Sequence, residues 1–91
     1  MELARQDIFR MGYRAVAAER PERVFHRIPD LRDALEFAGI EGEEFDSLLR
    51  GARDRGELQL YAGDVTCMTV EQARKRFTDE NGFTFGTFSI A

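Results

Sequence analysis

The chain has 91 residues, a length that fits one domain, and a chain of this size hides roughly 60–65% of the surface its unfolded form exposes. Hydrophobic residues make up 43% and charged residues 33%, a globular balance that excludes a disordered tail or a membrane bundle. Net charge is −4, unevenly spread: residues 1–28 hold six Arg against four acids, residues 29–64 hold four Arg against ten acids, and residues 65–91 hold three cations and three acids. The acidic middle disfavours polyanionic partners.

Residues 3–19 read as a helix, with Phe9, Tyr13, Val16 and Ala17 on one apolar face and Ile8 and Gly12 beside it. Arg10 and Arg14 stand four apart on another face, and Pro21 ends the helix by pushing residue 20 out of helical geometry. Residues 24–28 are β-prone and form a connector or a short edge strand. Pro29 suits the first position of a second helix, which buries Leu31, Leu35 and Phe37 or Ala38 and stops at Gly39. A tight glycine turn leads into a third helix over residues 42–55, where Phe45, Leu48, Leu49 and Ala52 make a core stripe. Ile40 and Phe45 have the spacing of a hydrophobic staple, and Gly56 supplies a left-handed exit.

Leu58 and Leu60 alternate with polar residues as in a half-buried strand, which Gly63 and Asp64 break. Thr69 and Gln72 have the spacing of a capping box, predicting a short helix from Val70 to Phe77. A turn over residues 79–82 leads to a final strand over residues 83–90. Phe83 and Phe85 share one parity while Phe88 and Ile90 share the other. A bulge at Gly86 is expected to bring all four to one face.

Chemistry-bearing residues are sparse. His26 and Cys67 are the only histidine and the only cysteine; a nucleophile–base pair would need them to meet in space, and the plainer reading is a half-exposed strand histidine and an incidental thiol. One cysteine allows neither an internal disulfide nor a thiolate metal cage and suits the cytoplasm. No nucleophile elbow, phosphate loop or zinc-protease motif is present, and no signal peptide or membrane span is read. The chain is therefore expected to be non-enzymatic, with no cofactor and no metal. Glu41, Glu43, Glu44 and Asp46 form an acidic cluster whose plain role is to complement the dipole of the third helix, and which also offers a charged interaction surface.

Two helices joined by a glycine turn at residues 29–56, after an N-terminal helix and connector at 1–28 and before a strand, short helix and strand at 57–91, resemble a winged helix. The resemblance covers nearly the whole chain and rests on residues 29–39, the Phe45/Leu48/Leu49/Ala52 stripe, Gly56 with Leu58 and Leu60, and the closing strand. It implies a single α+β domain over residues 1–91: three helices plus a C-terminal β-hairpin with a short helix inserted between its strands. That insertion stands where a winged helix carries a simple basic loop.

The resemblance also raises DNA binding, in which the third helix would enter the major groove. The residues available are Ser47, Arg50 and Arg53, with Arg74, Lys75 and Arg76 from the insertion, but Glu43, Glu44 and Asp46 stand among them. The competing reading is a protein-interaction or regulatory adaptor module that binds a protein partner or itself. Its candidate surface is basic Arg10 and Arg14 together with acidic Glu43, Glu44 and Asp46. The adaptor is the preferred expectation, and a DNA-binding transcriptional regulator is the alternative.

Overall fold

Helix α1, Arg5–Glu19, buries Phe9, Tyr13 and Val16 along the expected stripe and ends two residues before Pro21. The computed structural model describes residues 4–63 and 68–91, so Leu3 at the expected helix start and both Asp64 and Cys67 lie outside the described residues. Strand β1, His26–Arg27, follows the connector and runs directly into α2, Ile28–Glu36, whose second residue is Pro29. Helix α3 is Gly42–Asp54 and strand β2 is Leu58–Tyr61. The insertion comprises α4, Val70–Arg74, and a two-stranded ribbon of β3, Phe77–Thr78, and β4, Thr84–Phe85; β5, Thr87–Ile90, closes the chain.

These elements make a mixed α+β fold in which β5 is the centre of a three-stranded antiparallel sheet ordered β1-β5-β2. The register sets Leu60 and His26 opposite Phe88, and Leu58 opposite Ile90. Residues directly across a ladder share a face, so this set points toward the helices. There Phe9 meets Phe45 edge to face at 5.7 Å, and Phe45, Phe77 and Phe88 are wholly buried. None of the described helices is long and apolar enough to cross a membrane.

The α2–α3 turn corrects the expected core. Phe37 is 96% exposed and Ala38 is exposed as well. Gly39, at φ 79°, donates its N–H to Glu36, and Ile40 donates to the Leu35 carbonyl. This paired closure of a helix end packs the residue after the glycine against the last turn. Ile40 therefore fills the place assigned to Phe37, and both Ile40 and Leu35 are buried. Ile40 and Phe45 flank the start of α3 as a staple requires, both fully buried. The same closure recurs at the end of α3, where Gly56 sits at φ 76° and Glu57 donates to Ala52. Leu48 is only partly buried; Phe45, Leu49 and Ala52 carry the contact.

Two further expectations change in the insertion. The Thr69–Gln72 capping box forms, but α4 stops at Arg74, and Phe77 belongs to β3 instead of the helix. Phe77 pairs with Phe85 and stacks on it with ring centroids 6.4 Å apart. Pairing with a strand eight residues away thus outweighs a local helix signal worth about 1 kcal/mol. At Gly86 the chain bends as expected, with the N–H shared between the Tyr61 and Ala62 carbonyls and the carbonyl accepting from Ile28. A Cβ there would stand 3.0 Å from the Ala62 oxygen. The bend moves the chain from one sheet to another, so the four apolar residues do not form one face. Phe85 belongs to the ribbon, while Phe88 and Ile90 share a face of the three-stranded sheet, with Phe88 buried, Phe85 partly buried, and Phe83 and Ile90 exposed.

Candidate interaction surface

The face built by α2, the glycine turn and α3 carries most of the acids, and several are already matched by cations from elsewhere in the chain. Arg5 grips Glu44 with two nitrogens, at 2.7 and 2.5 Å, and also donates to the Gly39 carbonyl. The hydrogen bonds raise the Arg5 pKa and hold the Glu44 carboxyl below its ordinary range. Asp46 accepts from Arg32 at 3.0 Å. Glu43 is exposed and makes no ion pair among the described residues, as do Glu36 and Glu41. Phe37 projects from the turn beside Glu36, and with Asp33 and Lys75 these two line a shallow depression.

The basic half of the expected surface divides. Arg14 is exposed and has no ion-pair partner among the described residues. Arg10 is instead a strut, hydrogen-bonded to Asp7 within α1 at 2.9 Å and to Glu57 before β2 at 2.6 Å. Hydrogen bonds from Arg10, then from Arg55, hold the Glu57 carboxyl below the usual glutamate range. Arg10 is therefore committed to joining α1 to the α3–β2 turn, and its availability to a partner is low.

The candidate nucleic-acid contacts are similarly engaged. Arg53 pairs with Asp54 at 2.9 Å and Glu80 at 3.0 Å, and lies 3.6 Å from Asp79. Arg50 Nε stands 3.2 Å from Glu80 without a well-directed hydrogen bond, its guanidinium 6.0 Å from the Phe77 ring. Lys75 is bound to Asp33 at 2.6 Å, which raises its pKa. Arg76 donates to the Ala73 carbonyl, Arg74 is exposed, and Ser47 is exposed on α3 in a groove with Glu43, Asp46 and Arg50. The turn after β3 thus brings Asp79 and Glu80 onto the outer face of α3 and neutralises its cations.

Two contributors escape a reading of the sequence. Arg32 lies 4.2 Å over the Phe45 ring and donates to the carbonyls of Lys75 and Arg76 as well as to Asp46, tying α2, α3 and the insertion together. Only the pattern of an Arg inside an acidic helix hints at it. Phe37 was legible as apolar but not as exposed. His26, expected half-exposed, is buried at 7% against Phe88; Cys67 lies outside the described residues, so no pairing between the two is described. No protein-family model, curated protein or solved structure matches the chain.

Proposed function

We propose that the chain is a winged-helix domain acting as a non-enzymatic protein-interaction or regulatory adaptor module in the cytoplasm. The element order of helix, short strand, two helices and a strand pair, with β1 and β2 flanking β5, supports the winged-helix reading. The observation that carries the functional reading is the state of α3: Arg50 and Arg53 are matched by Asp54, Asp79 and Glu80, while Glu41 and Glu43 stand unmatched among the described residues. A helix presenting free carboxylates and sequestered guanidiniums repels phosphate and suits a partner with cationic and apolar groups. Phe37, exposed on the adjoining turn, supplies the apolar anchor that interfaces concentrate their energy on.

Quantitative cross-linking of the tagged chain against Phe37→Ser and Glu43→Arg variants tests this. Specific protein cross-links, to another protein or to a second copy, should be lost in both variants while folding is retained. Cross-links that are unchanged in both would remove the α2–α3 face from the account.

A further inference from the structure

Seven of the thirteen cationic side chains form ion pairs among the described residues: Arg5, Arg10, Arg32, Arg50, Arg53, Arg55 and Lys75. Of the six that do not, three line one cleft of about 390 Å³ between the end of α1, the connector and the start of α2. These are Arg20, Arg23 and Arg27. Their convergence follows from the local chain path. The turn after α1, closed by the Arg23 N–H on the Arg20 carbonyl, gathers the first two, and pairing of β1 with β5 fixes Arg27 beside them.

His26 lines the same cleft. The residue is 93% buried, and its ring rests against Phe88 at 5.6 Å and makes no side-chain hydrogen bond among the described residues. Its ring nitrogens are not among the buried atoms left without a partner, so they open on the cleft, where even the neutral ring offers one N–H donor. Carboxylates also border the cleft. Asp33 is held by Lys75, and neither Glu19 nor Asp30 comes within ion-pair distance of the three guanidiniums. Three guanidiniums without an ion-pair partner among the described residues and the His26 ring therefore line one cleft, although the Glu19, Asp30 and Asp33 carboxylates border it too.

We infer that this cleft is a binding site for a dianionic phosphate group. One fork saturates a carboxylate, whereas the dianionic phosphate presents three strong acceptor oxygens that can engage several guanidiniums at once. Its source is a free small anion or a phosphorylated side chain. The site lies apart from the α2–α3 face, and it stands or falls independently of the adaptor reading.

NMR of the full chain, following the His26 ring and the Arg side-chain Nε–H resonances at constant ionic strength, tests the site. The probes are inorganic phosphate, a phosphoserine peptide and the same peptide unphosphorylated, with chloride as control. Saturable shifts at His26 with inorganic phosphate in the millimolar range or tighter are expected, weakened about tenfold or more in the Arg23→Gln, Arg27→Gln double variant. Binding of the phosphopeptide about tenfold tighter than phosphate, with its unphosphorylated form silent, identifies a phosphorylated side chain as the source; equal affinity identifies the free anion. Arg23 is exposed and Arg27 half-buried, and unchanged backbone spectra check that the variant folds. Absence of saturable shifts with either phosphate probe overturns the inference. So do shifts that persist undiminished in the double variant.

Discussion

Arg32 connects three parts of the molecule with one guanidinium: its own helix α2, the Phe45 ring and Asp46 of α3, and the carbonyls of Lys75 and Arg76 at the exit of α4. Removing it leaves two partly buried carbonyls and a carboxylate without their donor. Arg32→Ala should therefore cost about 1–3 kcal/mol in urea unfolding. Arg32→Lys should recover only part of this, because an ammonium cannot reproduce the planar fork. A fully restored midpoint with Lys would show that charge alone matters. Glu57 is the second residue whose effect can be read. Its carboxyl is held below the ordinary range by Arg10, so its folded-state pKa is lower than its unfolded one. The resulting stabilisation is complete above the unfolded glutamate value of about 4.3 and is lost as pH falls through the lower folded value. Glu57→Gln should thus flatten the acid side of a plot of Tm against pH while leaving the slope near neutrality unchanged. An acid limb identical to that of the parent would contradict the Arg10–Glu57 strut.

At the level of elements, α1 and α2 approach closely at Gly12, where an added Cβ would lie 2.6 Å from Leu35 Cδ2. Alanine favours a helix over glycine by about 1 kcal/mol, but overpacking a filled core costs about 1–3 kcal/mol. Leu35 is buried and has little room to turn away. Gly12→Ala should consequently lower stability, and the loss should shrink when combined with Leu35→Ala in a double-mutant cycle. A stabilised single variant would mean that the helices can separate freely. In α3, Leu49→Ala should cost about 2–5 kcal/mol through lost burial and a cavity, measured by chemical unfolding.

The elements that the sequence foretold are those whose signals are local: the apolar stripes of α1 and α3, the staple, the capping box at Thr69 and the left-handed exit at Gly56. Phe37 and Phe77 were misplaced because their positions depend on other things. The glycine closure substitutes Ile40 for Phe37, and Phe77 is claimed by pairing with β4. The same distinction governs the candidate site. Arg10 joins Glu57 across 47 positions and Arg53 joins Glu80 across 27, so the engaged state of these cations has no local signature. Glu41 and Glu43 at the start of α3 are legible as exposed acids because no distant cation covers them among the described residues, whereas Glu44 is claimed by Arg5 across 39 positions.

Across the whole molecule, the linear split between a basic first third and an acidic middle becomes a different map once the chain folds. Arg5 and Arg10 are drawn onto acids of the middle segment, while Arg14, Arg20, Arg23 and Arg27 keep their charge available. The α2–α3 face retains Glu36, Glu41 and Glu43 beside exposed Phe37. The adaptor reading therefore requires that α3 not serve as a nucleic-acid reader. Fluorescence anisotropy with generic duplex DNA, titrated in salt, tests this most directly. The account predicts binding weaker than the ~10⁻⁴–10⁻⁶ M common among DNA-binding proteins at physiological salt, with no further loss in Arg50→Ala or Arg53→Ala. Tight, salt-sensitive duplex binding that disappears in those two variants would contradict it.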